Sequence, residues 1–315
     1  MISDYGAGIS TMKGSQSFIT RFAPSPNGWL HLGHAYSALT AWQAARQAQG
    51  TCLLRIEDID VGRARDHFVD GIYQDLEWLG LAWDEPVIRQ SERFSAYEAA
   101  LARLREMQLV YPCWATRSEI REAIADKPAP ADWPRDPDGA PLYPGLYRDL
   151  PDSRRKQLMW EDTGYCWRLN MQKALARLDA PLDYVEHGSD KNSDQTEDKA
   201  VRLPLDPSLF GDVVLARKDV PTSYHLAVVI DDAAQNVTQV TRGADLQAVT
   251  SVHVLLQKLL GLPQPDYLHH PLVRDTSGRR LSKQAGDSGF RELRQAGMSV
   301  DEVMALLPPP FGTAA

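Results

Sequence analysis

The chain has 315 residues, of which 43% are hydrophobic and 24% charged. These values are close to those of ordinary soluble globular proteins and exclude disorder throughout the chain. The longest apolar run, at 226–230, is far shorter than the ~18–20 residues of a membrane-spanning helix. The amino terminus lacks the apolar core of a secretory signal, so we expect a cytoplasmic protein.

The charge balance is acidic, with 34 Lys and Arg against 42 Asp and Glu and a net charge of −8. The chain therefore lacks the basic excess of many nucleic-acid binders, although one face can still be basic. Its three cysteines, Cys52, Cys113 and Cys166, are far apart and form no CxxC pair. This spacing argues against a disulfide framework and against a metal or redox motif.

The first half of the chain alternates between predicted strands and helices. We expect a flexible terminus over 1–16, strands over 17–22 and 51–56, and helices over 34–48, 64–79 and 95–107. Gly50 and Gly80 follow two of these helices, where glycine commonly ends a helix. The alternation predicts a parallel sheet with right-handed crossovers.

The middle of the chain has a different character. Residues 112–151 contain eight of the 21 prolines, which prevents a long helix there. The polar segment 188–199 is predicted to be a mobile surface loop. The alternating pattern resumes near residue 212, with strands expected over 224–230 and 236–242 and helices over 250–260 and 299–307.

A histidine motif, His31-Leu32-Gly33-His34, lies between the first predicted strand and helix. A helix amino terminus offers unpaired N–H groups and a positive dipole end, both of which suit a phosphate. Gly33 allows close approach of a ligand, and the two imidazoles add donors. The alternative is that both histidines are capping or core residues.

A basic motif, RRLSKQ (279–284), lies in a Gly/Ser-rich stretch about 250 residues further along the chain. Its arginines and Lys283 could surround a triphosphate and strengthen their contacts as the transition state forms. Taken alone, a solvated basic loop is the more frequent explanation. Together and in this order, the two motifs resemble the paired signatures of class I aminoacyl-tRNA synthetases and related nucleotidyl transferases.

Further blocks narrow the resemblance to the glutamyl/glutaminyl branch of that class. They span most of the chain and are RFAPSPNGWLHLGH (21–34), LRIEDID (54–60), YHLAVVIDD (224–232) and VTRGADL (240–246). The variants RGADL (242–246) and LSKQ (281–284), with only about 30 residues after Lys283, resemble the glutamyl-Q tRNA(Asp) synthetase family. The resemblance implies an α/β fold: a Rossmann-type doubly wound parallel-sheet catalytic domain with an inserted α+β subdomain.

We expect this organisation to divide the chain at specific places. The catalytic domain takes 17–110 and 211–285, the inserted acceptor-like subdomain takes 111–210, and 286–315 forms a tail without an anticodon-binding domain.

The resemblance also assigns roles to individual residues. Glutamate would be bound by two arginine forks, a serine, an anion for the ammonium group and a tyrosine: Arg21, Arg242, Ser25, Glu57 and Tyr224. ATP would be bound by His31, Gly33, His34, Ser282 and Lys283, of which His31, His34 and Lys283 are the catalytic donors. Glu57 could instead pair with Arg55, and Tyr224 could be a core residue.

The implied reaction is activation of L-glutamate by ATP, with Mg²⁺ on the phosphates, and transfer of glutamate to queuosine at the wobble position of tRNA(Asp). We expect a monomer with no membrane partner. The candidate tRNA contacts are Arg148, Arg154, Arg155, Lys156 and Arg274. The alternatives are a truncated glutamyl-tRNA synthetase that charges a 3′ end, a catalytically silent tRNA-binding paralogue, and a non-tRNA ligase that uses the HxGH motif.

One departure from the family concerns zinc. Many members are expected to hold it with C-x-C followed by Y-x-x-x-C, whereas here Ala115 and Tyr147 replace two of the cysteines, leaving Cys113 and Tyr143. A structural zinc site requires four ligands. We therefore predict that the chain binds no zinc and that aromatic packing, including Trp114 and Trp133, stabilises this segment instead.

Overall fold

A computed structural model of the chain describes residues 17–161, 164–188, 200–273 and 289–308. The first part of the chain forms a parallel sheet, ordered β1-β2-β3, accompanied by three helices. The strands are β1 (Ile19–Phe22), β2 (Thr51–Ile56) and β3 (Ile88–Arg89), and the helices are α1 (Leu32–Gln47), α2 (Asp66–Trp78) and α3 (Phe94–Glu106). These bounds confirm the strands and helices predicted for this half to within a few residues.

A small antiparallel sheet follows in the order β4-β5-β8. Its strands are β4 (Val110–Cys113), β5 (Cys166–Leu169) and β8 (Val214–Ala216), accompanied by the short helices α4 (Arg117–Ala125), α5 (Asp152–Trp160) and α6 (Met171–Leu175). Most of the proline-rich segment lies between β4 and β5. Within the described residues, the longest helix of that segment is α4, which has nine residues.

The remaining strands form a second sheet in the order β7-β6-β10-β9. They are β6 (Leu182–Glu186), β7 (Val201–Leu205), β9 (Gln239–Gly243) and β10 (Asp266–His270), with helices α7 (Tyr224–Ala234) and α8 (Thr250–Leu260). The last two described helices, α9 (Phe290–Gln295) and α10 (Val300–Ala305), pack on the core of the first half. Strand β10 is parallel to both β9 and β6, whereas β7 is antiparallel to β6.

The two sheets that contain parallel strands meet at β1 and β9. The backbone N–H of Thr238 donates to the carbonyl oxygen of Ile19 over 2.8 Å, and the N–H of Ile19 donates to Thr238 Oγ1 over 2.8 Å. The strands therefore follow the order β3-β2-β1-β9-β10-β6, and the two halves of the chain lead away from the β1/β9 junction in opposite directions. This arrangement is the doubly wound α/β fold that was predicted, and ligands of such sheets bind at the junction.

One predicted element is wrong. Residues 224–230, expected to form a buried strand, are the beginning of helix α7. Leu226, Ala227, Val228 and Val229 are all buried because α7 packs against α3, α8 and β8. A helix covered on several sides shows no polar face, so a short apolar run of this kind has the same appearance as a buried strand.

Several local signals were interpreted correctly. Gly80 and Gly261 follow α2 and α8 with φ of 70° and 64°, and glycine adopts such left-handed conformations without a Cβ clash. Residues 1–16, predicted to be a flexible terminus, and 189–199, which make up most of the predicted surface loop, lie outside the described residues. Among the helices in the described ranges, none combines the length and apolar character needed to cross a membrane.

Candidate active site

A cleft of about 620 Å³ opens at the junction between β1 and β9. It is lined by every predicted site residue within the described ranges: Arg21, Ser25, His31, Gly33, His34, Glu57, Tyr224 and Arg242. Ser282 and Lys283 lie outside those ranges, as does Arg274. The fold thus brings together side chains from β1, α1, β2, α7 and β9.

The histidine motif forms the amino-terminal cap of α1. Nδ1 of His31 accepts the backbone N–H of Gly33 over 3.1 Å, and the backbone N–H of His31 donates to Nδ1 of His34 over 3.1 Å. The capping role considered for these histidines is therefore real. Because both Nδ1 atoms act as acceptors, each neutral ring carries its proton on Nε2. The cap fixes the tautomer that offers an Nε2–H donor at the positive end of a 16-residue helix.

The cap explains why position 33 is a glycine. A Cβ at this position would lie 3.0 Å from Cε1 of His31 and 3.1 Å from its Nδ1, closer than side chains ordinarily pack. The absence of a side chain therefore lets the His31 ring fold back over the first turn of α1.

Two arginines, of which Arg21 lines the cleft, share one buried carboxylate. Asp232 Oδ1 accepts a hydrogen bond from Nε of Arg21 over 2.9 Å and another from Nη1 of Arg55 over 2.8 Å. All three side chains are buried. Burial opposes ionisation of Asp232, but the two guanidinium groups outweigh it and lower the pKa of this carboxyl group.

Glu57 lies beside this group, at the end of β2. Its Oε1 accepts a hydrogen bond from Nη2 of Arg55 over 3.2 Å, so the ion pair considered as the alternative role of Glu57 is present. Burial raises the pKa of the Glu57 carboxyl group, and Arg55 and Arg21 oppose that shift. A cationic group of a ligand would stabilise the ionised carboxylate, and Glu57 lines the cleft where such a group would enter.

Arg242 has a different environment. Its Nε donates to Nε2 of His269 over 3.1 Å, its Nη1 to Nδ1 of His253 over 3.1 Å, and its Nη2 to Oγ1 of Thr250 over 2.7 Å. A longer contact of 3.5 Å joins Nη1 to the hydroxyl of Tyr224. Within the described residues, these hydrogen-bond partners are neutral side chains. A buried guanidinium group held in this way is suited to receive an anion from outside the protein.

Burial and the Arg242 charge keep the surrounding imidazoles neutral. Burial, followed by Arg242, lowers the pKa of His225 to about 4 and lowers the pKa of His253 well below its ordinary value. Burial also lowers the pKa of His269. Burial raises the pKa of Tyr224, whereas Arg242 opposes that shift, so its hydroxyl stays protonated.

The sequence did not assign these surrounding residues. Asp232 was part of a recognised block but received no role, because α7 was predicted as a strand. His253 is a buried polar residue of helix α8, and His269 is the last residue but one of β10, a strand that was not predicted. Neither residue belongs to a recognised sequence block.

The segment where members of the family are expected to hold zinc contains one residue pair that the sequence did not suggest. Cys166 lies opposite Cys113 in the β4–β5 ladder, and the Cys113 thiol lies 3.2 Å from the Tyr143 hydroxyl. Trp114 packs against Tyr147 with 5.5 Å between ring centroids. Among the described residues, no three or more His, Cys, Asp or Glu side chains converge as a metal site. The absence of zinc remains a prediction.

Among the described residues, the candidate tRNA contacts do not line the cleft. Arg148 and Arg155 line a second cleft of about 810 Å³. Each is paired with a carboxylate: Arg148 with Asp212 at 2.7 Å and Arg155 with Asp152 at 3.0 Å. Arg154 and Lys156 are exposed on α5.

Comparisons with known proteins agree with this geometry. The family described as tRNA synthetases class I (E and Q), catalytic domain, matches residues 17–298. The glutamyl-Q tRNA(Asp) synthetase of Rhodobacter capsulatus is 45% identical, with 92% of this chain and 99% of that protein covered. The corresponding protein of Nocardia farcinica is 42% identical, with coverages of 93% and 84%.

Solved structures show the same relationship. A glutamate-tRNA synthetase from Elizabethkingia anophelis superposes with a TM-score of 0.68 at 25% identity, covering 95% of this chain and 68% of that one. The chain therefore belongs to the class I tRNA synthetases of the glutamate and glutamine branch, and it is a ligase-type enzyme whose similar relatives include glutamyl-Q tRNA(Asp) synthetases.

Proposed function

We propose that the chain activates L-glutamate with ATP to glutamyl-adenylate and transfers the glutamyl group to queuosine at the wobble position of tRNA(Asp). The observation that carries this proposal is the position of Arg242, a buried cation with neutral partners, in the same cleft as the capped amino terminus of α1. The first feature suits a carboxylate and the second suits a phosphate.

Glutamate has two carboxylates and one ammonium group, and the cleft offers charges of both signs. Arg242 and Tyr224 would bind the side-chain carboxylate, and Glu57 would bind the ammonium group. Arg21 and Ser25 would contact the remaining polar groups from β1 and the turn that follows it. Glutamine, which is neutral at the same position, would leave the Arg242 charge unbalanced, and this supports discrimination against it.

ATP would bind across the amino terminus of α1. The Nε2–H groups of His31 and His34 are the donors for its phosphates, and Ser282 and Lys283 would approach from the RRLSKQ segment. Mg²⁺, held mainly by phosphate oxygens, would neutralise part of their charge. We place no protein ligand on this ion.

Activation requires no protein nucleophile. An oxygen of the substrate α-carboxylate attacks the α-phosphorus of ATP, and pyrophosphate leaves, so the protein contributes positioning and charge stabilisation. In the second step a hydroxyl of the queuosine cyclopentene ring attacks the carbonyl carbon of the mixed anhydride. AMP leaves, an ester forms, and we propose that the AMP phosphate accepts the hydroxyl proton.

The test is transfer of labelled glutamate, with ATP, to tRNA(Asp) that carries or lacks queuosine, followed by nuclease mapping. We expect label only on the queuosine-containing pool and only in the anticodon fragment. Label on the 3′ end of tRNA(Glu) would instead identify a truncated charging enzyme. The absence of label from every tRNA, together with the absence of pyrophosphate exchange, would indicate a catalytically silent paralogue.

A further inference from the structure

A buried carboxylate from outside the recognised motifs contacts the residues around Arg242. Glu186, at the end of β6, accepts the backbone N–H of His269 at Oε1 over 2.8 Å, and its Oε2 lies 2.6 Å from Nδ1 of the same histidine. Both side chains are almost inaccessible, with 3% and 1% of their surfaces exposed. Strands β6 and β10 run parallel and adjacent, which places the two residues together.

The hydrogen bonds determine where the His269 proton lies. Nε of Arg242 is always a donor, so Nε2 of His269 must accept its hydrogen bond at 3.1 Å. The proton of the neutral ring is then on Nδ1 and is donated to Oε2 of Glu186. The Thr250 hydroxyl accepts a hydrogen bond from Arg242 Nη2, so its own proton is available for donation. Its Oγ1 atom lies 3.3 Å from His269 Nε2 and can donate there as well.

We propose that Glu186 is a positioning residue for the substrate's side-chain carboxylate, acting through His269 on Arg242. Glu186 holds His269 in the tautomer that accepts from Arg242 Nε, and this contact orients the guanidinium plane. Thr250 and His253 fix the same plane at Nη2 and Nη1. This inference rests on the proposed binding of glutamate by Arg242 and adds a residue that the family resemblance did not assign.

An amide at position 186 would change this arrangement without changing its shape. In Glu186→Gln, one oxygen can still accept the His269 backbone N–H, but the NH₂ group then faces Nδ1 of the ring. The ring must move its proton to Nε2, where it opposes the Nε–H of Arg242. Two donors facing each other cannot form a hydrogen bond, so Arg242 loses its support on that side.

The experiment is steady-state pyrophosphate exchange with the full chain. We expect Glu186→Gln to raise the KM for glutamate about 10- to 100-fold while the KM for ATP and kcat change by less than about threefold, because ATP contacts other residues. Asp75→Asn is the matched control. It makes the same carboxylate-to-amide change at a buried residue on α2, paired with Arg294 at 3.7 Å, and should leave all three constants unchanged.

A second pair of variants tests the same link at His269 in case Glu186→Gln does not fold. In His269→Gln, an amide oxygen can occupy the position of Nε2 and accept from Arg242, so the KM for glutamate should stay near the wild-type value. In His269→Asn, the shorter amide can reach only Glu186, so that KM should rise as in Glu186→Gln.

The outcomes separate this inference from the proposed function. An unchanged KM for glutamate in Glu186→Gln, or equal effects of His269→Gln and His269→Asn, would overturn the role of Glu186 even if Arg242→Ala abolishes glutamate binding. If Arg242→Ala itself leaves the KM for glutamate unchanged, the proposed glutamate pocket is wrong. A loss of kcat with constant KM in Glu186→Gln would show a role other than positioning the substrate.

Discussion

Arg21 and Asp232 are separated by 211 positions in the sequence and form a two-point ion pair, with Nε–Oδ1 at 2.9 Å and Nη2–Oδ2 at 3.4 Å. The pair connects β1 of the first sheet with α7 of the second half. Nη1 of Arg21 also donates to the carbonyl oxygen of Thr241 over 3.2 Å. The guanidinium group is therefore fixed against α7 and β9 of the second half by the protein's own groups, which lowers the ordering cost of binding.

Substitution of Asp232 should remove the charge that balances two buried arginines. We expect Asp232→Asn to lower the free energy of unfolding by about 3–5 kcal/mol, because Arg21 would stay buried without its paired carboxylate and Arg55 would keep only Glu57. Asp152→Asn removes an exposed pair with Arg155 and should cost about 1 kcal/mol or less. Urea denaturation of both variants checks this, and equal losses would contradict the argument.

The imidazoles around Arg242 predict a dependence of stability on pH. The pKa of His225 is about 4 in the folded protein and about 6.5 in the unfolded chain. Between these values the unfolded state binds more protons, so the free energy of unfolding should fall as pH decreases from about 6.5 to about 4 and is fully retained above that window. His253 and His269 act in the same direction.

The measurement is denaturant unfolding at several pH values for the wild type and His225→Gln. The variant lacks one of the groups that must gain a proton on unfolding, so its stability should decline less steeply toward low pH. Parallel curves for the two proteins would show that His225 does not contribute.

His31 has a structural role as the N-cap of α1 and a proposed chemical role as a phosphate donor, and substitutions can separate the two. Asparagine is a good N-cap residue but has no imidazole donor. We expect His31→Asn to retain the stability of the wild type and to lose pyrophosphate exchange, whereas His31→Ala should lose exchange and also about 1 kcal/mol of stability. Thermal unfolding and exchange rates test both variants, and full activity of His31→Asn would exclude a role of this ring in ATP binding.

Arg242 should determine the affinity for glutamate. Arg242→Ala is expected to abolish glutamate activation, and Arg242→Lys should raise the KM for glutamate by about 100-fold, because an ammonium group cannot reproduce the planar fork. Arg21→Ala should also abolish activation. Circular dichroism must show that the variants are folded, and normal activation kinetics in any of them would contradict the pocket assignment.

The β4–β5 region should be stable without a metal. We expect metal analysis of the purified protein to find well below one zinc per chain, and EDTA to leave the melting temperature unchanged, because Ala115 and Tyr147 stand where the family has ligands. One zinc per chain, lost together with stability on chelation, would show that Cys113 and Cys166 recruit the ion in another way.

Local features of the fold could be predicted from the sequence. Strand β2, preceded by Gly50, and helix α8, followed by Gly261, have the bounds expected from the sequence, and the cap of α1 lies where the motif indicated. These features depend on residues a few positions apart. Residues 224–230 form part of a helix that other elements cover on several sides. Their sequence pattern does not show which elements surround them, so it does not distinguish this helix from a buried strand.

The same distinction applies to the site. The residues of the recognised motifs converge on one cleft, as the resemblance implied. Their supporting partners come from distant positions: Glu186 reaches His269 across 83 residues, and this contact exists only because β6 aligns with β10. Propensity and motif spacing contain no information about such a register, so the support of Arg242 could be found only in three dimensions.

The position of β6 restricts how relatives of this protein could be recombined. Although β6 and β7 lie within the stretch 111–210, they are hydrogen-bonded to the catalytic sheet rather than to the antiparallel sheet formed by β4, β5 and β8. A chimera that replaces the whole stretch would also replace a sheet strand and the carboxylate at its end. Functional chimeras should therefore leave β6 and β7 in the parent and take β4, β5 and β8, which pair with one another, from one donor.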